Sequence, residues 1–168
     1  MARDKGEGIA SFTELYQRMV SDRPFVSALL SGHLAVEFLL RRLVRQYDPK
    51  LAEHGDTLRH RSLIGLNRQL GTISDAQYEV LISLNALRNR LAHEISYEPT
   101  LDELLELWRR AAQAFSDLTD GISQGIDSFE AAASLREVDD WAFAELFVQI
   151  SYDLHEQYVS RGGDLEEF

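Results

Sequence analysis

The 168 residues, 45% of them hydrophobic, suffice to bury one core without staples, and the absence of cysteine excludes disulfides, thiol catalysis and thiolate metal sites. A net charge of −11 argues against a general nucleic-acid coat. The charge is uneven, however: residues 41–93 carry nine Lys and Arg against five Asp and Glu, whereas residues 94–168 carry four against eighteen.

Only the stretch ending in Arg88 and His93 is therefore suited to attract an anion; the acidic remainder reads as a solvated skin on the C-terminal helices. The opening MARDKGEGIA lacks the apolar core of a signal peptide, and no uninterrupted apolar run approaches a membrane span. The expectation is a cytoplasmic protein with no membrane partner.

In chain order, a polar tail and a short helix capped by Ser11 and Glu14 occupy residues 1–23. Pro24 suits the first turn of a second helix that runs to Tyr47 and is apolar nearly all round, as a helix buried between neighbours is. Its polar exceptions His33, Glu37, Arg41 and Arg45 are each four apart and share one face. They read either as a surface row of ion pairs or as the lining of a cleft.

Residues 48–61 hold Pro49, Gly55 and scattered charges, which predicts a mobile loop. Its His54 and His60 lack a matching carboxylate or cysteine pattern, so no metal site is expected. A short helix over 62–70, stopped by Gly71, leads to a longer one over 74–94.

This longer helix organises the chain. Ser74 and Gln77 form a capping box at its start, and Val80, Leu84, Leu87 and Leu91 make its core stripe. A second, polar side carries Asn85, Arg88, Asn89 and His93, continued toward the N-terminus by Tyr78, Leu81 and Ile82, so something packs over that side too. Arg88 and His93 lie about 7.5 Å apart in rise and about 140° apart in rotation. One straight helix does not close them on a small anion, whereas a second chain brings a matching pair into range. The bland reading pairs Arg88 with Glu37 or a C-terminal acid and gives His93 to a helix-end carbonyl.

Pro99 ends the segment after His93. Thr100 and Glu103 cap a helix with Leu104, Trp108, Ala111, Phe115 and Leu118 inward. Gly121 and Gly125 then punctuate the chain before a weaker helix near 129–138. A last helix begins at Asp139 or Asp140, buries Phe143, Phe147, Ile150 and Leu154, and stops at Ser160 before a frayed acidic tail over 161–168. These segments predict an all-α single-domain bundle of five to six helices, with a core unit over 24–118 and C-terminal helices over 119–160 packed on it.

The segment Arg88-Asn89-Arg90-Leu91-Ala92-His93 resembles the signature of the HEPN superfamily, in which an arginine and a polar residue are followed a few positions later by histidine. These are small helical domains found in toxins, RNA-processing enzymes and phage-defence systems. GHLAVEFLLRRLV at 32–44, the basic loop and LNRQLG at 66–71 are similar to that layout. More distantly the chain resembles the mannitol operon repressor group, and the resemblance covers roughly residues 24–118.

The resemblance implies a HEPN-like bundle and a homodimeric, metal-independent endoribonuclease of toxin or phage-defence type, cutting single-stranded RNA by attack of the ribose 2'-hydroxyl. Arg88, His93 and Asn89 would be catalytic; Asn85, His33, Glu37, Arg41 and Arg45 would bind RNA or line the cleft. No metal or cofactor is implied, and a cognate antitoxin or regulatory protein is the implied partner.

An arginine fork matches phosphate oxygens and the charge that builds during cleavage. A histidine titrating near neutrality moves the protons, and Asn89 orients it or holds phosphate. One toxin branch carries a modifiable tyrosine two residues after the histidine; Ile95 stands there, and the nearest tyrosine is Tyr97. The alternative function is a non-catalytic dimeric transcriptional regulator or interaction module.

Overall fold

Capping chemistry sets the helix starts, and apolar spacing decides which faces meet. The computed structural model describes residues 11–20 and 23–164. Residues 1–10 of the polar tail and 165–168 of the acidic tail lie outside the described residues, as do 21–22. Helix α1 spans Phe12–Val20, α2 Pro24–Tyr47, α3 Ala52–Thr57 and α4 His60–Gln69. Helices α5 to α8 span Asp75–His93, Leu101–Ala114, Gly121–Ala131 and Asp140–Ser160. No β-strand occurs among the described residues, and more than half the chain is helical.

The caps are those the residue types predict. Ser74 Oγ accepts from the Gln77 amide at 3.1 Å while Gln77 Oε1 accepts from the Ser74 amide at 2.9 Å, and Thr100 Oγ1 accepts from the Glu103 amide at 3.1 Å. Each satisfies an amide that the first turn leaves without a helical partner. Pro24 occupies the opening of α2, where its missing N–H is no loss.

Helix α2 is the central element, packed along α8 on one side and against α4 and α5 on another. Leu40, Leu43 and Val44 are fully buried there. The circuit closes through α5 on α6, α6 on α7 and α7 on α8. Aromatic rings join the helices, with centroid separations of 5.0 Å for Trp108–Phe129, 5.7 Å for Phe129–Phe143 and 5.4 Å for Phe143–Phe25. Gly32 lets α2 and α8 approach: a Cβ there would lie 2.0 Å from the Phe147 ring.

Several expectations are corrected. Residues 48–61, read as a mobile loop, contain a 3-10 turn at Pro49–Leu51 and α3, tied down by Arg41, which donates to the carbonyls of Asp56 at 2.9 Å and Leu58 at 3.3 Å. Helix α7 begins at Gly121 rather than near Phe129, because the Asp117 carboxylate accepts from the amides of Ile122 and Ser123, both at 2.8 Å. Gly125 sits inside that helix beneath the Trp108 indole instead of breaking it.

Helix α6 stops at Ala114, and the Ser116 amide turns to the Asp153 carboxylate at 2.9 Å, which leaves Leu118 exposed. Leu91 is only partly buried. Averaged over a window rather than counted as an uninterrupted run, α2 does reach the length and hydropathy of a membrane span, yet it is the helix on which α4, α5 and α8 pack. The helix count among the described residues is eight, two above the upper expectation.

Candidate functional site

A cleft of about 700 Å³ opens between α2, the start of α4 and the second half of α5. Residues four apart on α2 point the same way, so His33, Glu37 and Arg41 form one wall. Asn85, Arg88, Asn89 and His93 form the facing wall, and Leu58, Arg59, His60 and Arg61 close one end. Arg45 is not part of the lining; it makes an exposed ion pair with Asp56 at 3.1 Å.

Of the α2 row, His33, Glu37 and Arg41 line the cleft, and Glu37 pairs with Arg41 one turn on. Glu37 Oε1 accepts from Arg41 Nη2 at 2.6 Å, and its Oε2 lies 3.1 Å from His60 Nδ1 and 3.9 Å from His33 Nε2. The two imidazole rings lie against each other with centroids 3.7 Å apart. Burial, the neighbouring ring and the Arg88 charge push the His33 pKa down to about 4, against the pull of Glu37. His60 is also lowered, by burial first, although Glu37 opposes it. Both rings are therefore neutral near pH 7.

On the α5 wall Asn85 is buried, Arg88 is half-buried, and Asn89 and His93 are exposed to the cleft. Arg88 Nη1 donates to Asn89 Oδ1 at 3.2 Å, while its buried Nε has no partner among the described residues. Glu37, the carboxylate suggested for Arg88, is held instead by Arg41 and His60.

Four arginines, Arg41, Arg59, Arg61 and Arg88, thus line the cleft against the single acid Glu37, in a chain whose net charge is −11. A cleft in which one sign of charge predominates concentrates ligands of the other sign. Such a surface suits a phosphate-bearing ligand.

His60, Arg59 and Arg61 were missed as site residues in the sequence. His60 finds its carboxylate 23 positions earlier on another helix, a separation that local spacing does not reveal. The run Arg59-His60-Arg61 at the end of a polar segment was the available signal. Beyond the α5 end, Tyr97 is turned inward: its hydroxyl donates to Glu103 Oε1 at 2.8 Å, and Arg90 lies 3.6 Å over its ring. Burial and the Glu103 carboxylate raise its pKa.

The fold and site together define an all-helical bundle with an arginine-rich cleft. No protein-family model, curated protein or solved structure gives a significant match to the chain.

Proposed function

We propose that the chain is a metal-independent endoribonuclease with a HEPN-like bundle, acting as a homodimer on single-stranded RNA in a toxin or phage-defence setting. The observation that carries this reading is the cationic cleft, in which the half-buried Arg88 and the accessible His93 share one cavity within an otherwise acidic chain.

In this reading Arg88 holds the scissile phosphate through its fork and stabilises the charge that grows on it. His93 takes the proton of the ribose 2'-hydroxyl or gives one to the departing 5'-oxygen. The attacking oxygen belongs to the ribose, so one product carries a 2',3'-cyclic phosphate. Asn89, bonded to Arg88, keeps the guanidinium aimed into the cleft.

The test is cleavage of mixed single-stranded RNA in EDTA by purified protein, with the termini identified. His93→Ala and Arg88→Ala should each lower the rate by about 100-fold or more with folding unchanged. Cleavage that survives His93→Ala, or none by folded wild type, rejects the reading.

A second reading, a dimeric non-catalytic regulator or interaction module, is favoured by a different feature. Leu30, Leu34 and Phe38, each four apart on α2, are exposed, and a partner chain would cover them. Absence of cleavage by a folded dimer selects this alternative.

A further inference from the structure

His33, Glu37 and His60 each offer one donor atom, all within 4.8 Å of one another. Two of them stand one turn apart on α2, and the third is the first residue of α4. Glu37 Oε2 is 3.9 Å from His33 Nε2 and 3.1 Å from His60 Nδ1. Donors placed 2.0–2.1 Å from one tetrahedral ion stand roughly 3.3–3.4 Å apart, so the two spacings bracket what a shared ion needs. We infer that His33, Glu37 and His60 form a binding site for a borderline transition-metal dication of the Zn²⁺ class.

The surroundings supply the outer support that such ligands need. Glu37 divides its oxygens: Oε1 takes Arg41 at 2.6 Å, and Oε2 faces the imidazoles. Arg41 is itself fixed by the Asp56 and Leu58 carbonyls. A ligating carboxylate held by hydrogen bonds keeps its orientation when the metal comes. The His33 and His60 side chains are 9% and 8% exposed, which shields their nitrogens from bulk water. Histidine ligates as the neutral imidazole.

One adjustment is required. Two imidazoles on one tetrahedral ion have centroids about 5 Å apart, and here they are 3.7 Å apart, so the rings rotate open into the cavity they line. Three protein donors leave a fourth position for water or for an anionic ligand in the cleft. The site goes beyond the proposed cleavage, which needs no metal. An ion here would tie α2 to the head of α4 and add positive charge to the cavity that holds Arg88.

The experiment uses the full chain without an affinity tag, stripped with EDTA, dialysed and titrated with ZnCl₂, with bound zinc per chain and thermal midpoint as readouts. One ion per chain and a raised midpoint are expected, with binding weakened more than 10-fold in Glu37→Gln and in His60→Ala. His54→Ala, at an exposed histidine outside the cluster, should bind like wild type. Co²⁺ in place of Zn²⁺ should give visible absorption bands of tetrahedral strength that Glu37→Gln abolishes.

Glu37→Gln keeps the side-chain shape, so the test stands even where His60→Ala does not fold. No stoichiometric uptake by folded wild type, or uptake that persists in both variants, overturns the site. Zinc uptake is read without RNA, so its failure and the failure of cleavage in EDTA are separately visible.

Discussion

At the residue scale the cleft is governed by what burial does to two histidines. His33 titrates at about 4 in the folded chain, and His60 also below its usual 6.5. An unfolded histidine takes up its proton near 6.5. Between those values the unfolded chain binds more protons than the folded one, so stability falls as pH drops from 6.5 toward 4. For His33 the loss reaches about 1.4 kcal/mol per pH unit, and His60 adds to it in the same direction.

Urea unfolding in EDTA at pH 7 and pH 5 should therefore show a lower midpoint at pH 5, with a smaller difference in His33→Gln. Equal midpoints in the wild type would contradict it. The sequence made the α5 wall legible, because Asn85, Arg88, Asn89 and His93 share one side of a capped helix. It left the other wall undecided, since whether His33, Glu37 and Arg41 face solvent or a cleft depends on where α4 begins. His60 was beyond reach for the same reason: its partner Glu37 belongs to a different helix.

At the scale of elements, helix starts were readable wherever the cap was a near neighbour. Ser74 with Gln77 and Thr100 with Glu103 are three apart, and both helices begin where the sequence places them. Ser74→Ala should lower stability by about 1 kcal/mol, read as a shifted urea midpoint at unchanged slope. Helix α7 was misplaced because its amides are served by Asp117 from across Asp120, whose left-handed φ of 59° bends the chain back.

The α2–α8 pairing depends on Gly32. Alanine there would gain helix propensity, but its methyl would enter the buried Phe147 ring, and overpacking of this kind costs about 1–3 kcal/mol. Gly32→Ala should lower the thermal midpoint by roughly 2–4 °C for each kcal/mol lost. An unchanged midpoint would mean that the two helices slide apart without cost.

At the scale of the whole molecule, the all-helical class and the single bundle followed from capped segments of helical period, while the uncovered surface did not. Leu30, Leu34 and Phe38 are exposed on α2, and a groove of about 470 Å³ opens between α2 and α8. For the proposed dimer, light scattering at micromolar concentration should give twice 19.1 kDa. The double change Leu34→Asp with Phe38→Asp should halve that mass without loss of helicity. A wild-type monomer would end the dimer, and a dimer that survives both changes would move the interface elsewhere.

The uneven charge along the chain also divides its elements. The cleft is built wholly from residues 33–93, whereas the strongly acidic residues 94–168 supply α6, α7 and α8. The arginines of the cleft thus come from one part of the chain and most of its acidic residues from another. In a chain of net charge −11, a polyanion would be repelled by most of the surface and drawn to the cleft. Its capture should slow steeply as added salt shortens the reach of that attraction, about 10 Å at 0.1 M.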